Sequence, residues 1–315
     1  MTPPQETMGA GATAAFPGGS PTAAAARVAV SVVIPAYNEV RGVAAVVLRV
    51  GTVLEEAGIE HEILVVDDGS ADGTADAAGG TPARVIQHPV NRGYGASLKT
   101  GIRAARHPLV CITDADSTYP ADRLPQLIAA AAEADMVVGA RDLSGRNIAP
   151  VRKPAKWFLN MLANYLADTR IPDLNSGMRV MRRELPLQYF DILPEGFSFT
   201  TTITLASLCD GYRVEYIPVD YAQRLGSSKI KPIDALNFLT LILRTMTYFR
   251  PLRIFVPVSL FLFLVGGAKF VMDFMYDRLS GTSVLFLLGG LNTLFFGVIA
   301  DMLVFVRRHR AAPER

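Results

Sequence analysis

The sequence predicts an α/β domain built on a mostly parallel sheet, followed by an amphipathic helix and two membrane-spanning helices. Three observations predict it. Short apolar runs of strand length alternate with helical stretches through the first half of the chain, the order that right-handed crossovers convert into a parallel sheet. Polar and acidic residues collect just past the ends of those runs, where open α/β sheets bind ligands. The mean hydropathy of +0.28 is too high for a wholly soluble enzyme, and the excess sits near the C-terminus.

Taken in order, residues 1–27 are rich in Ala, Gly, Pro and Thr with almost no large apolar side chains. Such a segment buries too little to offset its ordering entropy, so a disordered tail is expected. A secretory signal is not indicated, because a charged start and an apolar core region are both missing. Val28-Ala-Val-Ser-Val-Val-Ile34 reads as the first strand and stops at Pro35. Residues 40–57 carry apolar positions at helical spacing. Ile63–Val66 and Ala83–Ile86 are further strands, and a helix is expected over 93–106. Leu109–Thr113 and Met136–Gly139 complete the apolar runs. The catalytic domain is placed at 28–231.

Residues 232–250 read as an amphipathic helix with Leu236, Leu239, Leu243 and Met246 on one stripe, ending near Pro251 and lying in the membrane interface. Residues 254–272 and 282–306 are each long and apolar enough to cross a hydrocarbon core of about 30 Å. Arg250 and Arg253 precede the first run, and Arg307, Arg308 and Arg310 follow the second, whereas the connector at 273–281 holds one Arg and two Asp. The positive-inside rule therefore puts the domain and both termini in the cytoplasm. The membrane unit is placed at 251–307 and a cytoplasmic tail at 308–315. Lys269 and Asp273, four residues apart, are expected to pair or to snorkel at the far interface.

Charge and cysteine usage exclude other classes. Thirty-one basic against 29 acidic residues leave a net charge of only +2, no footprint for nucleic acid. The two cysteines, Cys111 in an apolar run and Cys209 in a helical pattern, argue for a reduced setting rather than a disulfide framework.

The chemistry-bearing residues follow the strands. Asp114-Ala-Asp116 places two carboxylates around one small residue at a strand end; with diphosphate oxygens they make a hard, oxygen-rich site for Mg²⁺ or Mn²⁺. Asp67-Asp68-Gly69-Ser70 can accept hydrogen bonds from a base or ribose, or can be a tight turn. In Pro35-Ala-Tyr-Asn-Glu39, Tyr37 suits a base and Glu39 a ribose or base edge, with Asn38 as a helix cap the plainer alternative. Asn91-Arg-Gly-Tyr-Gly95 opens a helix but fits neither standard phosphate fingerprint: Leu98 stands where the third glycine would, and no Gly-Lys-Ser/Thr triplet occurs. A dinucleotide oxidoreductase and a P-loop NTPase are thereby disfavoured. The four histidines sit in no metal or triad spacing.

As an ordered set, Val32–Glu39, Val65–Ser70, Asn91–Gly95 and Asp114–Asp116 resemble the family 2 glycosyltransferases of GT-A fold. Asp173-Leu-Asn-Ser-Gly-Met-Arg179 and Arg224-Leu-Gly-Ser-Ser-Lys229 resemble elements of the dolichol-phosphate mannosyltransferase and polyprenyl-phosphate glycosyltransferase branch. The resemblance covers roughly residues 30–250. It implies metal-dependent, inverting transfer of one sugar from a UDP- or GDP-linked donor to a polyprenyl phosphate in the bilayer. Pro35, Tyr37, Glu39 and Asp68 would cradle the nucleotide, and Asp114 and Asp116 the metal and diphosphate. Arg141 and Arg152 would face the acceptor phosphate, and Arg224 and Lys229 would close over phosphates. The sequence departs from the branch at Phe199-Thr-Thr-Thr202, where many relatives carry an acidic residue.

A phosphate monoester acceptor, with a second pKa of about 6, needs cations more than a general base, and Arg224, Lys229 and Lys231 supply them. A hydroxyl acceptor would need a base, for which Asp168 and Asp173 stand as candidates. A non-catalytic nucleotide-sugar-binding membrane partner is the reading from another class. A processive synthase is disfavoured because the only tryptophan, Trp157, lies in Lys156-Trp-Phe rather than in a Gln-x-x-Arg-Trp motif. Homo-oligomerisation is left open.

Overall fold

The computed structural model describes residues 28–141, 161–165, 167–196, 198–222, 232–276 and 280–311. The expected tail at 1–27 lies outside them, as do Arg152, Trp157, Arg224, Lys229 and Lys231. The elements run β1 (Ala29–Ala36), α1 (Val43–Glu56), β2 (Glu60–Asp67), α2 (Thr74–Gly79), β3 (Arg84–Gln87), α3 (Tyr94–Ala104), β4 (Leu109–Ile112), α4 (Leu124–Ala130) and β5 (Met136–Arg141). They continue with β6 (Arg179–Arg182), α5 (Glu184–Gln188), α6 (Phe199–Cys209), β7 (Val214–Val219), α7 (Pro232–Phe249), α8 (Leu252–Met275) and α9 (Gly281–Ala311).

The seven strands form one sheet in the order β3-β2-β1-β4-β6-β5-β7. All neighbours are parallel except β6, which runs antiparallel to both β4 and β5. Alternation along β1 feeds two cores. Val32 and Ile34 join one cluster with Val46, Val47 and Leu127. Val33 joins the other with Leu98, Ile102, Ile203 and Met246. Helices therefore cover both faces, which is why β1, β2 and β4 read as nearly continuous apolar runs.

The helix expected at 232–250 is present as α7, and a second face of it, beside the expected stripe, packs on the domain. Ile242, Thr245, Met246 and Phe249 are buried while Leu243 is exposed. Met246 and Cys209 bring their sulfurs to 3.8 Å, so α7 spends this face on α6. Arg250 ties the same junction by donating Nη2 to the Cys209 carbonyl at 3.2 Å.

α8 and α9 form an antiparallel hairpin. Both are long and apolar enough to cross a bilayer, with mean hydropathy of 2.1 and 2.0, and only 11% and 17% of those windows is buried. A core helix of a soluble protein would be mostly covered. The helices approach closely at glycines: a Cβ on Gly297 would meet the Phe255 Cβ at 2.6 Å, and Ser259 donates to the Gly290 carbonyl at 2.8 Å. Lys269 and Asp273 pair as expected. At the other end, α9 runs on to Ala311, past the boundary expected at 307, and Arg307 lies 3.7 Å from the centre of the Tyr248 ring.

Candidate active site

The topology gathers the motifs at one edge. Ala36 aligns with Asp67 across β1 and β2, and Val33 with Ile112 across β1 and β4. Because β6 is antiparallel, its first residue Arg179 aligns with Ile112 of β4 and Val138 of β5. The Asp173–Arg179 segment thus enters at the same edge that the parallel strands leave.

On the β1–β2 side, two loops are laced together. Asn38 donates its N–H to Ser70 Oγ at 2.9 Å, and its own side chain accepts from Ala71 N–H at 3.2 Å. Glu39 and Val40 donate backbone N–H to Thr74 Oγ1 and Asp72 Oδ2. Asn38 sits at φ 55, and the N-cap of α1 is Gly42; Asn38 pins the loop rather than capping the helix. Tyr37 is left 49% exposed beside this edge.

Asp68 is buried, and its carboxylate is occupied. It accepts from the backbone N–H of Arg92 at 2.9 Å and of Gly93 at 2.7 Å. His88 Nδ1 lies 2.7 Å from Oδ1, and His88 Nε2 lies 2.9 Å from Thr100 Oγ1. Asp68 therefore organises the 91–93 loop. His88, given no role by its sequence spacing, completes that clamp. Gly93 has φ +103, and a Cβ there would meet the Glu195 carbonyl oxygen at 2.6 Å, so only glycine fits this turn.

The β4 carboxylates follow. Tyr94, the first residue of α3, donates its hydroxyl to Asp114 Oδ1 at 3.0 Å. Burial, reinforced by the Asp114 charge, pushes the Tyr94 pKa well above the ordinary phenol value. On the other side Gly177 closes in: a Cβ there would stand 2.5 Å from Asp114 Oδ2. Asp116 Oδ1 accepts from Thr118 N–H at 3.1 Å and from Thr118 Oγ1 at 2.5 Å. Among the described residues no group of three or more His, Cys, Asp or Glu side chains could hold a metal ion through protein atoms alone. The donor set is two half-buried carboxylates flanking buried Ala115. Such hard oxygen ligands fit Mg²⁺ or Mn²⁺ when diphosphate oxygens and water complete the shell.

Gly177 is fixed by its own backbone. Its N–H donates to Tyr119 Oη at 2.7 Å, and Ser176 Oγ donates to the Gly139 carbonyl at 2.5 Å. Burial pushes the Tyr119 pKa up to about 12, so it stays a neutral phenol. Arg179, quoted in the motif without a role, is wholly buried. It donates Nη2 to the Ser176 carbonyl at 2.5 Å, and Nη1 to the Thr200 carbonyl at 3.2 Å and Thr204 Oγ1 at 3.1 Å. Burial lowers its pKa. In this chain the threonine-rich start of α6 thus meets one Nη of a buried guanidinium with neutral oxygens, while Nε has no partner among the described residues.

Arg141 lies at the edge but is engaged. It grips Asp173 with Nε to Oδ2 at 2.6 Å and Nη2 to Oδ1 at 2.8 Å, and it lies 5.3 Å from the Tyr221 ring centre. Any acceptor contact from Arg141 must share the guanidinium with this pair. Burial alone would raise the Asp173 pKa, but the Arg141 fork more than offsets it and holds the carboxyl below the ordinary range. Asp168 is likewise held, 2.6 Å from Arg253, whose hydrogen bond lowers its pKa. Neither candidate base is set up to take a proton.

Comparison with known proteins bears on this arrangement. Residues 31–190 match the family model "Glycosyl transferase family 2", and residues 250–304 match "GtrB C-terminal hairpin". The chain is 29% identical over 205 residues to a dolichyl-phosphate hexose transferase of Haloferax volcanii, covering 64% of this chain and 86% of that protein. It is 30% identical over 232 residues to an undecaprenyl-phosphate 4-deoxy-4-formamido-L-arabinose transferase of Salmonella typhimurium, covering 71% and 69%. Among solved structures, mannosyl-3-phosphoglycerate synthase from Rubrobacter xylanophilus aligns with a TM-score of 0.56 at 22% identity over 72% of this chain and 74% of that one. Glucosyl-3-phosphoglycerate synthase from Mycobacterium tuberculosis, solved with Mn²⁺ and uridine-diphosphate, aligns with a TM-score of 0.56 at 22% identity, covering 70% and 79%. These structural likenesses concern the fold.

Proposed function

Because this chain belongs to glycosyl transferase family 2, and so is a glycosyltransferase of GT-A fold, we propose that it moves one sugar from a nucleotide-sugar to a polyprenyl phosphate. The observation that carries this reading is the state of the two candidate bases. Asp173 and Asp168 are each locked to a guanidinium, which suits an acceptor that brings its own negative charge. The two relatives named above, both transferases to polyprenyl or dolichyl phosphates by their names, support the same reading.

In this proposal Pro35, Tyr37 and Glu39 flank the nucleotide, with Asp68 shaping the 91–93 loop beside it. Asp114 and Asp116 hold a divalent cation, which when bound neutralises charge on the leaving diphosphate. Tyr94 and Gly177 fix the Asp114 carboxylate. The acceptor phosphate, largely dianionic at neutral pH, attacks the anomeric carbon in line and inverts it. Arg141, Arg152, Arg224 and Lys229 hold it there; the last three lie outside the described residues. The sheet and both termini face the cytoplasm, where nucleotide-sugars are made. A single cysteine placed at Ser280 should then react with an impermeant thiol reagent from outside, since Cys111 and Cys209 are buried.

The deciding experiment incubates purified protein with polyprenyl phosphate, Mn²⁺ and a panel of UDP- and GDP-sugars, with mass spectrometry of the lipid. One donor should yield polyprenyl-phosphate-sugar. Asp116→Ala should lower the rate at least ~10²-fold while leaving the protein folded. Transfer to no polyprenyl phosphate, or full activity in excess EDTA, would overturn the acceptor or metal assignment respectively.

A further inference from the structure

At the end of the hairpin nearest the sheet, the last turn of α7, the first turn of α8 and the last turns of α9 enclose a cavity of 280 Å³. Arg250, Leu252, Arg253, Asp301, Val304 and Phe305 line it. Asp301 is the one acidic residue of α9. Among the described residues Asp301 makes no hydrogen bond or ion pair.

The cations in the cavity are not equivalent. Arg253 is matched by Asp168 at 2.6 Å. Arg250 donates to the neutral Cys209 carbonyl and feels the same Asp168 charge without closing to an ion pair, so two guanidiniums face one carboxylate. Among the described residues the cavity thus holds excess positive charge at the α7–α8 junction and, beyond ion-pair reach of it, the Asp301 carboxylate on α9 with no ion pair of its own. A simple anion would satisfy Arg250 and be repelled by Asp301; a simple cation would do the reverse. A zwitterion satisfies both. With α8 and α9 read as spans, this end of the hairpin would lie at headgroup depth, and the cavity's volume suits a headgroup rather than acyl chains.

We propose that this cavity binds the headgroup of a zwitterionic aminophospholipid, its phosphate on Arg250 and its primary ammonium on Asp301. The proposal rests on reading α8 and α9 as membrane spans and is separate from the sugar transfer. A primary ammonium fits better than a quaternary one. It donates hydrogen bonds to a carboxylate, whereas choline relies on an aromatic cage. No cage is available: of the two aromatic residues that line the cavity only Phe305 is exposed, one ring where a cage needs several, while Phe249 is 2% exposed with its ring packed against Tyr189, Tyr248 and Arg307.

The test uses the full chain reconstituted in vesicles of equal parts phosphatidylethanolamine, phosphatidylcholine and phosphatidylglycerol. Mild detergent extraction and native mass spectrometry then count retained lipids. Phosphatidylethanolamine should be retained about tenfold over the other two, in line with one charge-assisted contact. Asp301→Asn, nearly isosteric, should bring the ratio to parity; Asp301→Glu, a second variant that keeps the charge, should preserve the preference. Arg250→Gln should lower retention of all three. Equal or greater retention of phosphatidylglycerol, parity of phosphatidylcholine, or an unchanged preference in Asp301→Asn would overturn the proposal. Displacement of the aminophospholipid by polyprenyl phosphate would assign the cavity to the acceptor instead and also overturn it. Release of the protein by alkaline carbonate would remove the span reading and the proposal together, a failure distinct from retention in the membrane without lipid preference.

Discussion

Replacing Gly177 by alanine tests the site through one methyl group. Gly177 does not occupy a left-handed φ, so alanine costs nothing in backbone strain there. The effect is steric: the new Cβ would stand 2.5 Å from Asp114 Oδ2 and 2.9 Å from Cγ. The backbone of Gly177 cannot retreat easily, because its N–H is held by Tyr119 at 2.7 Å and Ser176 is anchored on Gly139 at 2.5 Å. The carboxylate must give way. To regain an ordinary contact of 3.4 Å it moves by about 0.9 Å, on the scale at which misplacement of a reacting group costs about 10²-fold. Initial rates at saturating donor and acceptor, with divalent metal titrated, should show a fall of that order and a weaker metal dependence. Thermal unfolding should change little, since the clash is with a half-exposed carboxylate rather than core. If Gly177→Ala keeps the wild-type rate and metal requirement while folded, Asp114 is not part of the reacting constellation.

Other expectations rest on single contacts. Tyr94→Phe keeps the ring but removes the hydroxyl that orients Asp114; Mn²⁺ affinity in the presence of nucleoside diphosphate, or kcat, should fall about 10–100-fold, and equality with wild type by metal titration would refute the positioning role. Thr204→Val removes an acceptor for the buried Arg179 guanidinium and should cost about 1.5–3 kcal/mol in denaturant unfolding. Asp173 has its folded pKa below the unfolded value, so its ion pair stabilises fully above the ordinary aspartate range near 4 and is lost as pH falls through the folded pKa. Asp173→Asn should therefore be less stable at neutral pH and show a flatter acid limb in melting temperature against pH.

The left half of the sheet was legible because its strands are buried on both faces: Val32, Val33 and Ile34, or Ile63 to Val66, announce themselves by composition alone. The polar residues at their ends marked the site edge for the same reason. On the right half only β5 was legible, as Met136–Gly139; its two neighbours in the sheet were not. β6 is Arg-Val-Met-Arg, with a charged residue at a fully buried position, which no hydropathy pattern anticipates. β7 carries Glu215 and Pro218 on the outermost strand, where a missing N–H costs little. The helical pattern at Cys209 was read, but nothing in it announced that the Thr200 carbonyl and the Thr204 hydroxyl of α6 serve Arg179. On α7 the sequence did not mark Ile242 and Phe249 as the residues that pack on the domain, because its expected stripe was read toward a lipid surface. At the site, residue types were readable, but not the partners: the sequence gives no sign that His88 and Arg92 converge on Asp68, or that Arg141 closes on Asp173.

The reversed direction of β6 also sets an order of assembly. β1 to β4 lie close together in the chain, so the nucleotide side can collapse early on local contacts, as it would during synthesis from the N-terminus. β6 must be delivered from far downstream and inserted between β4 and β5, so its pairing closes a long loop and carries a late entropic cost. Only that insertion brings Gly177 against Asp114. A nascent or truncated chain ending before Arg179 can therefore hold much of the nucleotide-side sheet and still lack one wall around Asp114, so that chemical competence arrives as one of the last folding events.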